Sequence, residues 1–158
     1  MKSLVFDLDD TLLMSGTYKQ YTDIVPNSRL TDILYNLQNP KYLYTNGTYG
    51  HGIYGLDALN LRNNYDFHND KIYGRDIIPY MKPEFKSFNY VHNSIMYEHN
   101  DYNKRIFFDD LPNNLYAAHN IGWETVWIHP DADNNHKPYY VNHAYKNIVD
   151  ALEKIDLN

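Results

Sequence analysis

The chain has 158 residues, 22% charged and 43% hydrophobic, with a formal net charge of −6 and no cysteine. That length and mixture exclude a disordered chain and support a single domain over residues 1–158, while the negative balance disfavours broad binding to nucleic acid. Without cysteine there are no disulfides, thiolate zinc sites or cysteine nucleophiles, and the lack of a membrane-length apolar run or signal-peptide pattern reads as a soluble, cytoplasmic protein.

Residues 3–6 read as a short buried strand that runs into Asp7-Leu8-Asp9-Asp10-Thr11. Asp7 and Asp9 are two apart, so an extended chain places them on one face. Two such carboxylates repel unless a cation or a shared proton compensates, and oxygen ligands of this kind suit Mg²⁺. An acidic cluster at a strand end also serves as a solvated turn or a helix cap, so the pair alone does not decide.

Residues 13–28 are polar, contain Gly16 and Pro26, and read as a loop or flap. Leu30, Ile33, Leu34 and Leu37 then repeat at helical spacing until Asn39-Pro40 stops them. Residues 41–45 read as a second strand leading into Thr45-Asn46-Gly47-Thr48. A glycine-rich helix follows, with Leu56, Leu59 and Leu61 as contacts near its end. Residues 71–73 read as a short third strand. Lys82-Pro83 is expected to open a helix, proline being allowed in its first turn, with Phe85, Phe88, Val91, Ile95 and Met96 on its apolar side. Residues 105–108 form a fourth strand ending in Asp109-Asp110. The next helix has Pro112 near its start and Gly122 beyond its end. Residues 123–128 are a fifth strand and 129–142 a polar loop. Ala144, Ile148, Ala151, Leu152 and Ile155 mark one stripe of a last helix.

Strand and helix thus alternate about five times, which predicts a three-layer α/β fold: a Rossmann-like parallel sheet with helices on both faces. Ligands of such sheets bind beyond the carboxyl ends of the strands, where every polar motif falls. Asp7/Asp9, Thr45-Asn46, Lys82 and Asp109/Asp110 are each weak alone, since each type also caps helices or sits in solvent. Together they meet the needs of phosphoryl transfer. Asp7 is the expected nucleophile and Asp9 the proton donor, then acceptor. Thr45, Asn46 and nearby backbone N–H groups are expected to hold the phosphate, with Lys82 as a point charge on its oxygens. Asp7, the Asp9 carbonyl, Asp109 and Asp110 are the expected Mg²⁺ ligands.

With these motifs the sequence resembles the haloacid-dehalogenase superfamily of aspartate-nucleophile phosphatases. The resemblance runs from Asp7 to Ile128, through Asp7-Leu8-Asp9-Asp10-Thr11, Thr45, Lys82 and Asp109-Asp110. Within it, Thr45-Asn46 followed by His51, Lys82-Pro83 with Phe85 and Phe88, and Phe108-Asp109-Asp110 followed by Asn114 look like pyrimidine 5′-nucleotidase-like members. The resemblance implies a Mg²⁺-dependent phosphate-ester hydrolase acting on a small phosphorylated substrate such as a nucleoside 5′-monophosphate. The stretches before Thr45 and before Lys82 are too short for the usual cap domains, so a capless or minimally capped member is expected. Leu111 stands where the family often has Ser or Thr. Dehalogenases of the family usually lack the Asp9 equivalent, which favours phosphate-ester chemistry. Two other readings stay open: a capless phosphatase for a phosphoprotein or a nucleic-acid end, and a non-catalytic binding domain on the same fold.

His129, His136 and His143 stand at equal steps but in a proline-containing loop, so they read as surface residues rather than a zinc site. His51 lies one turn into the helix after Thr45-Asn46, where lining the pocket and a capping or surface role are both open, the latter at least as well supported. Trp123 and Trp127 read as core edge, and with 17 tyrosines in the chain no single one points to base stacking. Arg75 and Lys86 read as solvated charge.

Overall fold

Alternation within the first strand decides how the sheet is covered. In β1 (Lys2–Phe6), Leu4 and Phe6 face one side and Val5 the other, and all three are buried. A strand buried on both faces belongs inside a parallel sheet. The computed structural model describes residues 1–62 and 67–158. Among these, β1, β2 (Lys41–Tyr44), β3 (Ile72–Tyr73), β4 (Lys104–Asp109), β5 (Glu124–Ile128) and β6 (His143–Tyr145) form one sheet. Its order is β3-β2-β1-β4-β5-β6, and every pairing is parallel. Phe6 pairs with Leu43 on one side and Phe108 on the other, so β1 lies inside the sheet.

Among the described residues, five α-helices cover the two faces: α1 (Ser28–Asn36), α2 (Tyr49–Ala58), α3 (Phe85–Glu98), α4 (Pro112–Asn120) and α5 (Ile148–Lys154). Leu30 and Leu34 of α1, Leu56 of α2 and Leu152 of α5 pack with Leu4, Phe6 and Phe108. Phe88, Val91 and Ile95 of α3 and Leu115 of α4 pack with Val5, Tyr44 and Phe107 on the opposite face. The expected three layers are present, with no large cap domain among the described residues. None of the helices is long and apolar enough to cross a membrane.

Two expectations change. The last helix is shorter than its apolar stripe implied: Ala144 belongs to β6, where it pairs with Trp127. Asn147 starts the helix instead, its side chain accepting from the Asp150 N–H at 2.9 Å. Nor is Pro83 in the first turn of a helix. The turn 81–84 closes by a Glu84 N–H to Met81 carbonyl bond, Glu84 stands at the N-cap position of α3 without a side-chain cap bond, and the helix begins at Phe85. Phe85 is consequently exposed rather than on the apolar side.

Candidate active site

The order of the strands reverses around β1. One connection leads to β2 on one side, and β4 lies on the other, so a crevice opens past the ends of β1 and β4. The ladder continues one residue beyond β1, where the Asp7 N–H donates to the Phe108 carbonyl at 2.9 Å. This sets Asp7 beside Asp109, the last residue of β4. The chain then curls: the Leu8 carbonyl accepts from the N–H groups of Leu12 and Leu13, both at 2.9 Å. Asp10 takes the left-handed conformation at φ 61°, and its carboxylate accepts from the Ser15 N–H and hydroxyl. A non-glycine residue held at positive φ beside a carboxylate cluster is the kind of local strain that functional sites retain.

Lys82 reaches this point from the turn before α3. Its Nζ lies 2.7 Å from Asp7 Oδ1 and 2.8 Å from Asp109 Oδ2, with the side chain 1% exposed. Asn46 fixes that turn from both ends of its amide: Oδ1 accepts from the Lys82 N–H and Nδ2 donates to the Lys82 carbonyl, each at 2.9 Å. The Asn46 amide, expected on the phosphate, is thus engaged with the Lys82 backbone while it lines the same cavity. Thr45 is buried at the end of β2, and its Oγ1 accepts from the Gly47 N–H at 2.9 Å.

The two acids after β4 differ. Asp109 is fully buried and crowded with donors: Leu111 N–H and Asn114 Nδ2 on Oδ1, Asn114 Nδ2 and Lys82 Nζ on Oδ2. Asp110 takes no side-chain donor among the described residues, and its carbonyl is held by Trp127 Nε1–H at 3.0 Å. One oxygen from each of Asp7, Asp109 and Asp110 lies within 4.8 Å of the others.

Electrostatics follow from this crowding. Burial pushes Asp7 up to about 7, with Asp109 adding to the rise and Lys82 opposing it. Burial and the charge of Asp109 push Asp110 up to about 6. Burial alone would depress Lys82, but the Asp109 and Asp7 carboxylates outweigh it and hold the ammonium above its ordinary value. Three carboxylates against one ammonium leave excess negative charge among hard oxygen donors. That donor set and that charge fit Mg²⁺.

Asp7, Asp9, Thr45, Asn46, Lys82 and Asp110 all line one cavity of about 260 Å³. Asp109 lies behind it, under Lys82. Two neighbours join the site: His51, whose sequence position left a pocket, capping or surface role open, and Tyr21, which carries no sequence signal. His51 Nε2 meets the Asp9 carboxylate at 2.9 Å, and Tyr21 meets the far side of the same ring. His129, His136 and His143 do not converge: among the described residues only the aspartate group above brings three such ligands together.

No protein-family model and no curated protein sequence matches the chain. Solved structures do. The chain is similar to a protein from Bacillus subtilis, YfnB, assigned as a HAD-hydrolase and bound to magnesium (TM-score 0.67, 15% identity, 96% of this chain and 97% of that one). It is similar to a hydrolase from Pseudomonas syringae (TM-score 0.65, 16% identity, 97% of both chains). It is also similar to a haloacid dehalogenase-like family hydrolase from Streptococcus pneumoniae (TM-score 0.62, 12% identity, 97% of both chains). Dehalogenases match as well, and this chain spans 53% and 57% of the length of two of those structures. At such identities these likenesses establish the fold, which is that of haloacid dehalogenase-like hydrolases.

Proposed function

We propose that this chain is a Mg²⁺-dependent phosphatase of the haloacid-dehalogenase superfamily, hydrolysing a phosphate monoester through a phospho-Asp7 intermediate. The observation that carries this reading is the convergence of Asp7, Lys82 and Asp109, with Asp9 and Asp110 on the same cavity. Asp7, the Asp9 carbonyl, Asp109 and Asp110 would hold the metal. The magnesium bound to YfnB supports that choice. When bound, Mg²⁺ supplies the positive charge that lets an anionic nucleophile meet an anionic phosphate.

The chain's own groups do the rest. A carboxylate oxygen of Asp7 attacks phosphorus as the bond to the leaving oxygen breaks, and protonated Asp9 gives that oxygen its proton. Asp9, now ionised, takes a proton from water. The water oxygen then attacks phosphorus and the bond to Asp7 breaks, releasing inorganic phosphate. Lys82 neutralises charge on the equatorial oxygens, and Thr45 with its neighbouring backbone N–H groups orients them. The presence of Asp9, with a hydrogen-bonding partner of its own, favours ester chemistry over dehalogenation.

A cavity of about 260 Å³ has room for a phosphate group and the near part of its leaving group, the rest of which lies outside, past the exposed Leu111. This supports a small substrate such as a nucleoside 5′-monophosphate. The same openness supports a second reading, a phosphoprotein or a nucleic-acid end, of which the latter sits poorly with a net charge of −6. Phosphate release from 4-nitrophenyl phosphate with and without Mg²⁺ tests the reaction. A panel of phosphorylated metabolites and phosphopeptides tests the substrate class. No turnover with any divalent metal would favour a binding domain on this fold.

A further inference from the structure

His51 belongs to the first turn of α2, where its N–H is capped by Thr48 Oγ1 at 3.1 Å. Its side chain turns back to the loop after β1, with Nε2 at 2.9 Å from Asp9 Oδ1 and 3.0 Å from Oδ2. The other ring nitrogen, Nδ1, lies 2.6 Å from the Tyr21 hydroxyl. Tyr21 opens a 3-10 helix (Tyr21–Asp23) in the segment after the first motif, and its ring packs on Tyr54 at 5.5 Å. Three segments distant in sequence therefore meet in one line of hydrogen bonds, from Tyr21 through His51 to Asp9.

We propose that His51, itself oriented by Tyr21, is the positioning residue that fixes the Asp9 carboxylate for proton transfer. This rests on the phosphatase reading and adds what sets its proton donor in place. If the Tyr21 hydroxyl donates, Nδ1 accepts and carries no hydrogen. A neutral imidazole then holds its hydrogen on Nε2 and donates it to Asp9, so one tautomer satisfies both contacts. The need for a holder is physical: the Asp9 side chain is 39% exposed and, without a partner, samples several rotamers. Space for the ring is provided as well. A Cβ on residue 47 would lie 2.7 Å from His51 Cδ2, so Gly47 leaves the imidazole its position.

The test uses the full chain with Mg²⁺, an alkyl phosphate and 4-nitrophenyl phosphate. His51→Ala should lower kcat on the alkyl ester about 10–100-fold, the usual effect of removing a group that orients a ligand or catalyst, with KM nearly unchanged. Tyr21→Phe should lower it less, and His51→Gln, which keeps an N–H donor in place of Nε2, should recover most of the loss. In an Asp9→Asn background His51→Ala should cost nothing further, because its effect passes through Asp9. Nitrogen-15 spectra of the imidazole give a readout independent of turnover. The wild type should show His51 protonated on Nε2 and bare on Nδ1, and Tyr21→Phe should shift it toward a mixture of tautomers. An additive loss in the double variant, a change confined to KM, or a ring indifferent to Tyr21 would overturn the relay alone. A wild type that releases no phosphate from either ester would overturn the phosphatase reading, and the relay's role with it.

Discussion

Lys82 Nζ lies 2.7 Å from Asp7 Oδ1, tying the end of β1 to the turn before α3 across the mouth of the sheet. Its second bond, to Asp109 Oδ2 at 2.8 Å, makes it the only described side-chain cation in contact with these two buried carboxylates. Lys82→Met keeps the stem's length but leaves those carboxylates uncompensated. Breaking a buried pair in this way costs about 3–5 kcal/mol. Urea denaturation in EDTA should show a loss of that order, and phosphatase activity should vanish. A variant as stable as the wild type would show that the lysine is not paired as described.

The same cluster gives a pH dependence. Asp7 is raised from 3.8 to about 7, so across that interval the folded protein holds a proton that the unfolded chain has released. The metal-free protein should therefore lose stability, relative to Asp7→Asn, as pH rises from about 4 to about 7, and stay level above. Mg²⁺ competes with that proton, so adding it should reverse the slope. Parallel denaturation series of the two proteins, in EDTA and in Mg²⁺, measure both. A pH-independent difference in EDTA would contradict the assignment.

Of Asp109 and Asp110, the latter should be the closer metal ligand, and the former a ligand that also holds the fold together. Asp109 is occupied by Lys82, Asn114 and the Leu111 N–H, whereas Asp110 has its carboxylate open to the cavity. Asp110→Asn should weaken Mg²⁺ binding in calorimetry with little change in thermal midpoint. Asp109→Asn should lower the midpoint by several degrees in EDTA as well. If Asp110→Asn keeps full affinity while Asp109→Asn loses it, the order of the ligands is reversed.

Gly74 and Gly50 offer a contrast outside the chemistry. A Cβ at Gly74 would come within 2.4 Å of the Tyr49 backbone nitrogen, where the start of α2 crosses the end of β3. Backbone cannot step aside, so Gly74→Ala should cost about 2 kcal/mol or more. At Gly50 the nearest atoms stand at 3.9 Å, and alanine in this helix should gain roughly 0.5–1 kcal/mol. Chemical denaturation of the two variants should move in opposite directions.

The fold was legible because its strands are short, apolar and bounded by acids or prolines. Residues 3–6 and 105–108 each run straight into aspartates, and a sheet topology then brings those ends together. What escaped had a physical reason in each case. Ala144 continues the spacing of Ile148, Ala151 and Ile155, so a three-residue edge strand passed for a helical turn, although Asn147 stands in the middle as a cap. Lys82-Pro83 looked like a helix start because proline is welcome there, yet the Asn46 amide holds the Lys82 backbone in a turn. His51 carried a weak signal, one turn into α2. Tyr21 carried none: residue 21 lies in an aperiodic polar stretch of a tyrosine-rich chain, and its contact spans thirty residues.

The final prediction separates the two leading aspartates. Asp7→Asn removes the attacking oxygen and a metal ligand, so no covalent intermediate should form with any ester. Asp9→Asn keeps the backbone carbonyl, leaves Asp7 intact and still offers an oxygen to His51. It removes only the proton shuttle, a function worth roughly 10²–10⁴ in rate. The leaving group then decides where the loss appears. A nitrophenolate needs little protonation, so phospho-Asp7 should form at a near-normal rate and hydrolyse slowly, because water still lacks its base. An alkoxide from a nucleotide or other alkyl ester needs the proton, so formation itself should slow. Rapid-quench mass spectrometry of Asp9→Asn with both esters resolves the two steps. Phosphate trapped on a residue other than Asp7, or an equal first-step loss for both leaving groups, would sink the assignment of Asp7 as nucleophile and Asp9 as proton carrier.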